Sequence, residues 1–213
     1  MSGPVDRAAA TRRKLLDTAA RLYAAKGIDK VSINEIVREA GQGNASAVHY
    51  HFGTRDRVLL ALIERHAPQI AQRRRELLDA ARSRPRNVRA AAEAVVRPIT
   101  EFAQRGWRER AYLQIGSELA QALDRTTPEI REALTQAEGI EAWKLMRARC
   151  PKVPEDLWRE RQQICIAFIG RAAADRARLL DRRERAPVMP DDRFVDNLVD
   201  MVVGAMTARH TGP

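Results

Sequence analysis

No stretch of this 213-residue chain is apolar for long enough to cross a bilayer. Charged side chains interrupt every hydrophobic run well short of the roughly 18 residues a membrane helix needs. Cysteine is almost missing: only Cys150 and Cys165, in no CxxC or other metal-ligand spacing. That excludes a disulfide framework and a structural zinc site. With no leader pattern at the N-terminus, the two thiols read as reduced groups in a cytoplasmic protein. No glycine-rich phosphate loop follows a strand-like run. Histidine is scarce too, at positions 49, 51, 66 and 210. His49-x-His51 lacks a third ligand at metal spacing, and no nucleophile–base arrangement accompanies it. The expectation is therefore no enzyme, no metal and no cofactor. Aromatics are only 5% of the chain although hydrophobic residues make up 45%. Alanine and leucine carry the apolar content, which favours helix over sheet.

What is abundant is positive charge. Lys and Arg number 38 against 28 Asp and Glu, a formal net charge of +10. Such a balance suits a nucleic-acid partner. It is not confined to one end: through Arg65 there are 11 basic and 7 acidic side chains, and the rest of the excess lies beyond.

Apolar periodicity predicts helices throughout. Residues 1–10 offer little to pack and read as unstructured. A first helix starts near Thr11, carries Leu15, Leu16, Ala19, Leu22 and Tyr23 on one face, and ends at Gly27. Val31 staples the start of a second, where Ser32-x-x-Glu35 forms a reciprocal capping box. Gly41 and Gly43 end it, and Asn44 caps a third. Thr54 caps a fourth, running to about Ala81, with a kink or break at Pro68. Further helices span about 87–104, 107–123, 127–149, 155–185 and 191–209. The fold class is all-α, with about nine helices.

Residues 32–52, SINEIVREAGQGNASAVHYHF, then read as two short helices joined by a glycine-containing turn, the geometry of a helix-turn-helix. The second helix is small and polar on its outer face, so its backbone can enter a major groove. Ala45 can touch a thymine methyl, and Ser46 a base or a phosphate. Asn44 caps the helix or contacts DNA. His49 and Tyr50 reach phosphate or sugar, while His51 either orients against the backbone or bonds the turn. Lys30, Ser32 and Arg55 flank the reader as phosphate contacts, and Gln42 stands in the turn.

The segment from Arg12 to His66 resembles the TetR/AcrR family of transcriptional regulators. The resemblance lies in LLDTAARLYAAKG, SINEIVREAG and YHFGTRDRVLLALI occurring in that order. It implies a three-helix DNA-binding domain at about 11–53 and a helical ligand-binding and dimerisation domain at about 54–210. By the same resemblance the last two helices pair with those of a second subunit, through Ile166, Ile169, Phe194, Leu198, Met201 and Val202. Double-stranded DNA with a palindromic operator is the implied partner, and a small molecule in the larger domain the implied effector. One departure stands out: between Gly41 and Phe52 this chain has one residue more than the usual pattern.

The larger domain has no comparable signature. Phe102, Trp107, Tyr112, Ile115, Leu119, Trp143, Met146 and Phe168 are the apolar candidates for a ligand cavity. Taken singly, most of them read as ordinary core. A DNA-binding activator, a regulator controlled by a protein partner, and a helical enzyme or carrier reusing the fold remain as alternatives.

Overall fold

The apolar positions of the N-terminal segment fall on one face of a single helix, α1 (Pro4–Lys26). Leu15, Leu16, Ala19, Ala20 and Tyr23 are all buried there. The chain is known from a computed structural model, which describes residues 4–41, 51–182 and 189–210. The helix begins at Pro4, seven residues earlier than the sequence suggests, so residues 4–10 are helical rather than unstructured. Alanine at positions 8–10 and a proline at the first helical position account for the extension.

The α1 helix ends at Gly27, whose N–H donates to Tyr23 O at 2.8 Å and whose φ of +89° suits only glycine. A single 3-10 turn, Ile28–Lys30, leads to α2 (Ile33–Glu39). Ser32 caps α2, its Oγ accepting from the Glu35 N–H at 3.1 Å. The reciprocal half of the expected box is replaced: the Glu35 carboxylate takes Lys26 Nζ at 2.5 Å instead. Lys26 holds that carboxyl below its ordinary value.

Thr54 caps α3 (Arg55–Arg82), with Oγ1 accepting from the Arg57 N–H at 3.3 Å. At 1.5 Å per residue this helix is about 42 Å long. Pro68 lies inside it without breaking it. Pro68 is exposed, while Leu62, Ile63, His66 and Ile70 around it are buried. The packing on both sides of the proline sustains the helix across the missing backbone donor.

The remaining helices are α4 (Val88–Thr100), α5 (Trp107–Gln121), α6 (Pro128–Glu138), α7 (Ile140–Arg149), α8 (Glu155–Asp181) and α9 (Asp191–Thr207). Asn87 caps α4 and Thr127 caps α6. The last turn of the expected 87–104 helix tightens to a 3-10 turn, Glu101–Gln104, after Pro98. Instead of one helix over 127–149 there are two, divided at Gly139. Its φ is +80°, and a Cβ there would lie 2.3 Å from Arg74 Nε. Only glycine satisfies both demands.

Nine α-helices and no strand are present among the described residues. Two hydrophobic clusters hold them. One joins α1, α2 and the start of α3 to α5 and to Ala173 and Ala177 of α8. The other joins the end of α3 to α4, α7, α8 and α9. The first cluster runs through residue 54 without a gap, so the reader's scaffold and α5 share one core. None of the described helices is long and apolar enough to cross a membrane.

Candidate DNA-binding unit and ligand cavity

The α1–α2 pair carries the scaffold of the expected reader. Ile36 and Val37 of α2 pack on α1, and Phe52 closes the cluster with the Arg12 guanidinium 4.9 Å from its ring centroid. Gln42, Asn44, Ala45, Ser46, His49 and Tyr50 lie outside the described residues. His51 is half-buried, its ring 6.3 Å from that of Phe52. Lys30 and Ser32 are exposed on one rim, at the start of α2.

Arg55 sits at the start of α3, and its Nη2 donates to Asp29 at 2.8 Å. Behind it, Arg55 Nε and the Tyr23 hydroxyl are buried with no hydrogen-bond partner. Burial pushes the Tyr23 phenol up to about 12 against the pull of Arg55. The expected phosphate contact is therefore anchored in the seam between α1 and α3, with its terminal nitrogen on an exposed aspartate.

Helix α5 has two working faces. On one side, Asp17 of α1 receives Arg108 through Nε at 3.0 Å and Nη2 at 2.6 Å, and Arg65 of α3 through Nη1 at 2.7 Å. Burial raises the Asp17 carboxyl, but the bonds from Arg108 and Arg65 outweigh it and leave the group below its ordinary value. One helical stretch further on, Glu118 Oε1 accepts the backbone N–H of Ile28 at 2.8 Å. Arg108 and Glu118 thus bind α5 to the body of α1 and to the turn that joins α1 to α2. No motif or capping pattern in the sequence singles out Glu118. Its partner lies 90 residues away, and no local pattern marks such a bond.

On the other side, Tyr112, Leu113, Gly116, Ser117 and Ala120 of α5 form one wall of a cavity of about 120 Å³. Its other walls come from Arg74, Val95, Ile99, Leu134, Trp143, Ile166, Ile169 and Gly170. Gly116, Ser117 and Ala120 make the space: three small residues within one turn of α5 leave room that leucines would fill. Among the expected cavity residues, Tyr112 and Trp143 are in this lining. The other six lie elsewhere. Phe102, Ile115 and Leu119 are packed in the first core cluster and Met146 in the second. Trp107 lies in a separate groove, between the guanidinium groups of Arg21 at 4.2 Å and Arg108 at 4.7 Å. Phe168 is exposed.

The outer face of α8 and α9 also differs from expectation. Leu198, Val202 and Ile169 are buried within the subunit's own core, and Ile166 and Ile169 face the cavity. Phe194 lies under the Arg176 guanidinium, 5.0 Å from its ring. Of the six residues expected to meet a partner subunit, Met201 is exposed. It is joined on the surface by Ile164 and Phe168 of α8. Cys150 and Cys165 are buried, and burial raises both thiols, which disfavours the reactive thiolate. Among the described residues, no three His, Cys, Asp or Glu side chains converge to hold a metal ion.

Residues 15–62 match the family model for bacterial regulatory proteins of the tetR family. The chain carries a tetR-family regulatory domain. That makes it a DNA-binding regulator of transcription, and α1, α2 and the first two turns of α3 are the described part of the tetR-family unit. Solved structures share the wider fold at low identity. One is the fatty acid degradation regulator FadR from Bacillus halodurans, 16% identical with a TM-score of 0.60 and 99% of each chain covered. A TetR-family transcriptional regulator from Bordetella parapertussis 12822 is 17% identical, with a TM-score of 0.60 over 92% of this chain and 94% of that one. A structure from Saccharomonospora viridis in complex with choline is 18% identical, with a TM-score of 0.52 over 94% of this chain and 100% of that one. At these identities the likeness establishes the fold. No curated protein matches the sequence.

Proposed function

We propose that the protein is a homodimeric repressor, released from a palindromic operator when a small molecule fills the cavity beside α5. The observation that carries this reading is the double role of α5. Its Gly116–Ser117 face lines the cavity, while Arg108 and Glu118 hold the tetR-family unit through Asp17 and the Ile28 N–H. A ligand that displaces α5 changes the seat of α1 and α2 with it. Arg65, on the same Asp17 carboxylate, extends the displacement to α3 and so to Arg55 at its start.

Two readers on one B-DNA operator must sit about 34 Å apart, one helical turn. A small rotation of each unit spoils that match with neither domain unfolding. The effector acts as a population shift between DNA-competent and DNA-incompetent dimers. Residues 11–53 act as the DNA-binding domain and 54–210 as the regulatory one, in a cytoplasmic protein. Lys30, Ser32, His49, Tyr50 and Arg55 meet phosphates, and Ala45 and Ser46 meet bases. The exposed Ile164, Phe168 and Met201 supply the apolar centre of the subunit interface. The small molecule held by the Saccharomonospora viridis protein supports a ligand within this fold.

Selection of duplexes from a random DNA pool, followed by transcription from the recovered site with purified components, tests the reading. A two-fold symmetric site and reduced transcription are expected. A site that increases transcription when occupied overturns repression, and recovery of single half-sites overturns the dimer.

A further inference from the structure

Aliphatic side chains and glycine make up most of the described cavity wall, together with the rings of Tyr112 and Trp143. Two glycines of the wall face open space. A Cβ on Gly116 of α5 or on Gly170 of α8 would meet nothing within 4 Å outside its own helix backbone. Arg74 is the one charged side chain of the described lining. It already has a partner, its Nε and Nη2 are buried, and its guanidinium lies against Gly139 in the turn between α6 and α7. The Trp143 Nε1 is buried as well. A molecule in the cavity reaches none of these three nitrogens. The other polar side chains of the described wall are the hydroxyls of Tyr112 and Ser117. Burial pushes the Tyr112 phenol up to about 12, so it carries no charge at neutral pH. No carboxylate lines the cavity among the described residues.

We infer that this cavity takes a compact, uncharged organic molecule, one ring or a branched chain of similar bulk, held by burial of its apolar surface. The assignment rests on the reading of the cavity as the effector site and adds the chemical class. Size sets the first limit: an engineered apolar cavity of about 150 Å³ binds benzene, so about 120 Å³ suits a single ring. Charge sets the second. An ion that leaves water for an apolar enclosure needs a partner there, and without one the cost exceeds what burying its apolar part returns. A carboxylate would find a guanidinium that is already engaged, and an ammonium group would find no carboxylate in the described wall. A neutral ring gives up little hydration and gains contact with the aliphatic side chains around it.

Three one-ring probes of similar shape separate the charge states at neutral pH: toluene, benzoate and benzylammonium. Titration calorimetry on the full-length protein is expected to show toluene binding, with each ion at least about tenfold weaker. Either ion binding as tightly as toluene overturns the inference, and so does absence of toluene binding at millimolar concentration. Gly116→Ala combined with Gly170→Ala sets two methyl groups in the space. Toluene should then bind at least about fivefold more weakly. The urea midpoint should hold or rise, because alanine favours helix over glycine. Unchanged toluene affinity in the folded double variant puts the binding elsewhere and overturns the inference. If that variant fails to fold, the ranking of the three probes on the parent chain decides. Fluorescence anisotropy of labelled operator DNA is read in parallel. Toluene that binds yet leaves DNA affinity unchanged sinks the effector reading and leaves the neutral site standing. A response to other small molecules without toluene binding does the reverse.

Discussion

Glu118 takes the backbone N–H of Ile28 at 2.8 Å from a helix that also walls the cavity. Removing its carboxylate strands a part-buried donor, which costs about 1–3 kcal/mol. Glu118→Ala is expected to lose that much stability in urea unfolding and to blunt the effect of ligand on DNA affinity; Glu118→Gln keeps an acceptor oxygen and should recover most of both. A variant as stable and as responsive as the parent would remove Glu118 from the coupling. His66 makes a pH prediction. It is buried between Phe102 and Tyr112, with ring centroids at 5.6 and 5.2 Å, and burial pushes its pKa down to about 4 from 6.5. On acidification the unfolded chain takes up the proton near its ordinary value, while the folded chain resists until about 4. Stability therefore falls across that window, by about 2 kcal/mol between roughly pH 7 and pH 5. His66→Leu should flatten this limb. Asp17, whose carboxyl is held low, begins to lose its contribution only below its ordinary value of 3.8 and is not confused with it. The residues legible in the sequence were those with local partners: Ser32 and Thr54 cap the helices they precede. The Glu118 bond was not, because nothing within a helical turn of it marks the partner.

Helices follow local rules until packing overrides them. Gly27, Asn87 and Thr127 mark real ends because a positive φ or a capping side chain fixes them within a few residues. Pro68 breaks the local rule and the helix survives, since a missing backbone donor is outweighed by the apolar face of α3 on either side. Gly139 shows the opposite failure. In sequence a lone glycine inside a periodic stretch reads as a tolerated interior position, yet here it ends one helix and starts another. Gly139→Ala places a Cβ 2.3–2.6 Å from three Arg74 atoms in a left-handed conformation. We expect a loss of at least about 2 kcal/mol, visible as a lowered urea midpoint; a neutral substitution would mean that Arg74 moves freely. The α8 face was illegible for a different reason. CIAFIG is apolar all round, so periodicity cannot choose which side meets the subunit's own core. Packing chooses Cys165, Ile169 and Ala173 for the inside and leaves Ile164 and Phe168 outside.

At the level of the molecule, this outward pair and Met201 of α9 predict assembly. Phe168→Glu together with Ile164→Glu should shift the sedimenting species from dimer to monomer, and weaken operator binding far more than binding to a half-site. A dimer of unchanged strength would place the interface elsewhere. The DNA-binding scaffold could be anticipated from sequence because caps, glycines and core positions lie close together along the chain. The cavity could not, because its walls are assembled from six helices and its space comes from what Gly116, Ser117 and Ala120 lack. The three tryptophans happen to stand at three different stations. Trp143 walls the cavity, Trp107 is clasped by Arg21 and Arg108 at the seam with α1, and Trp158 lies under Arg147 beyond both. With one indole retained at a time, the chain becomes its own optical reporter. Emission from Trp143 would time the arrival of a ligand, that from Trp107 the response at the seam, and Trp158 would supply a baseline without a foreign dye.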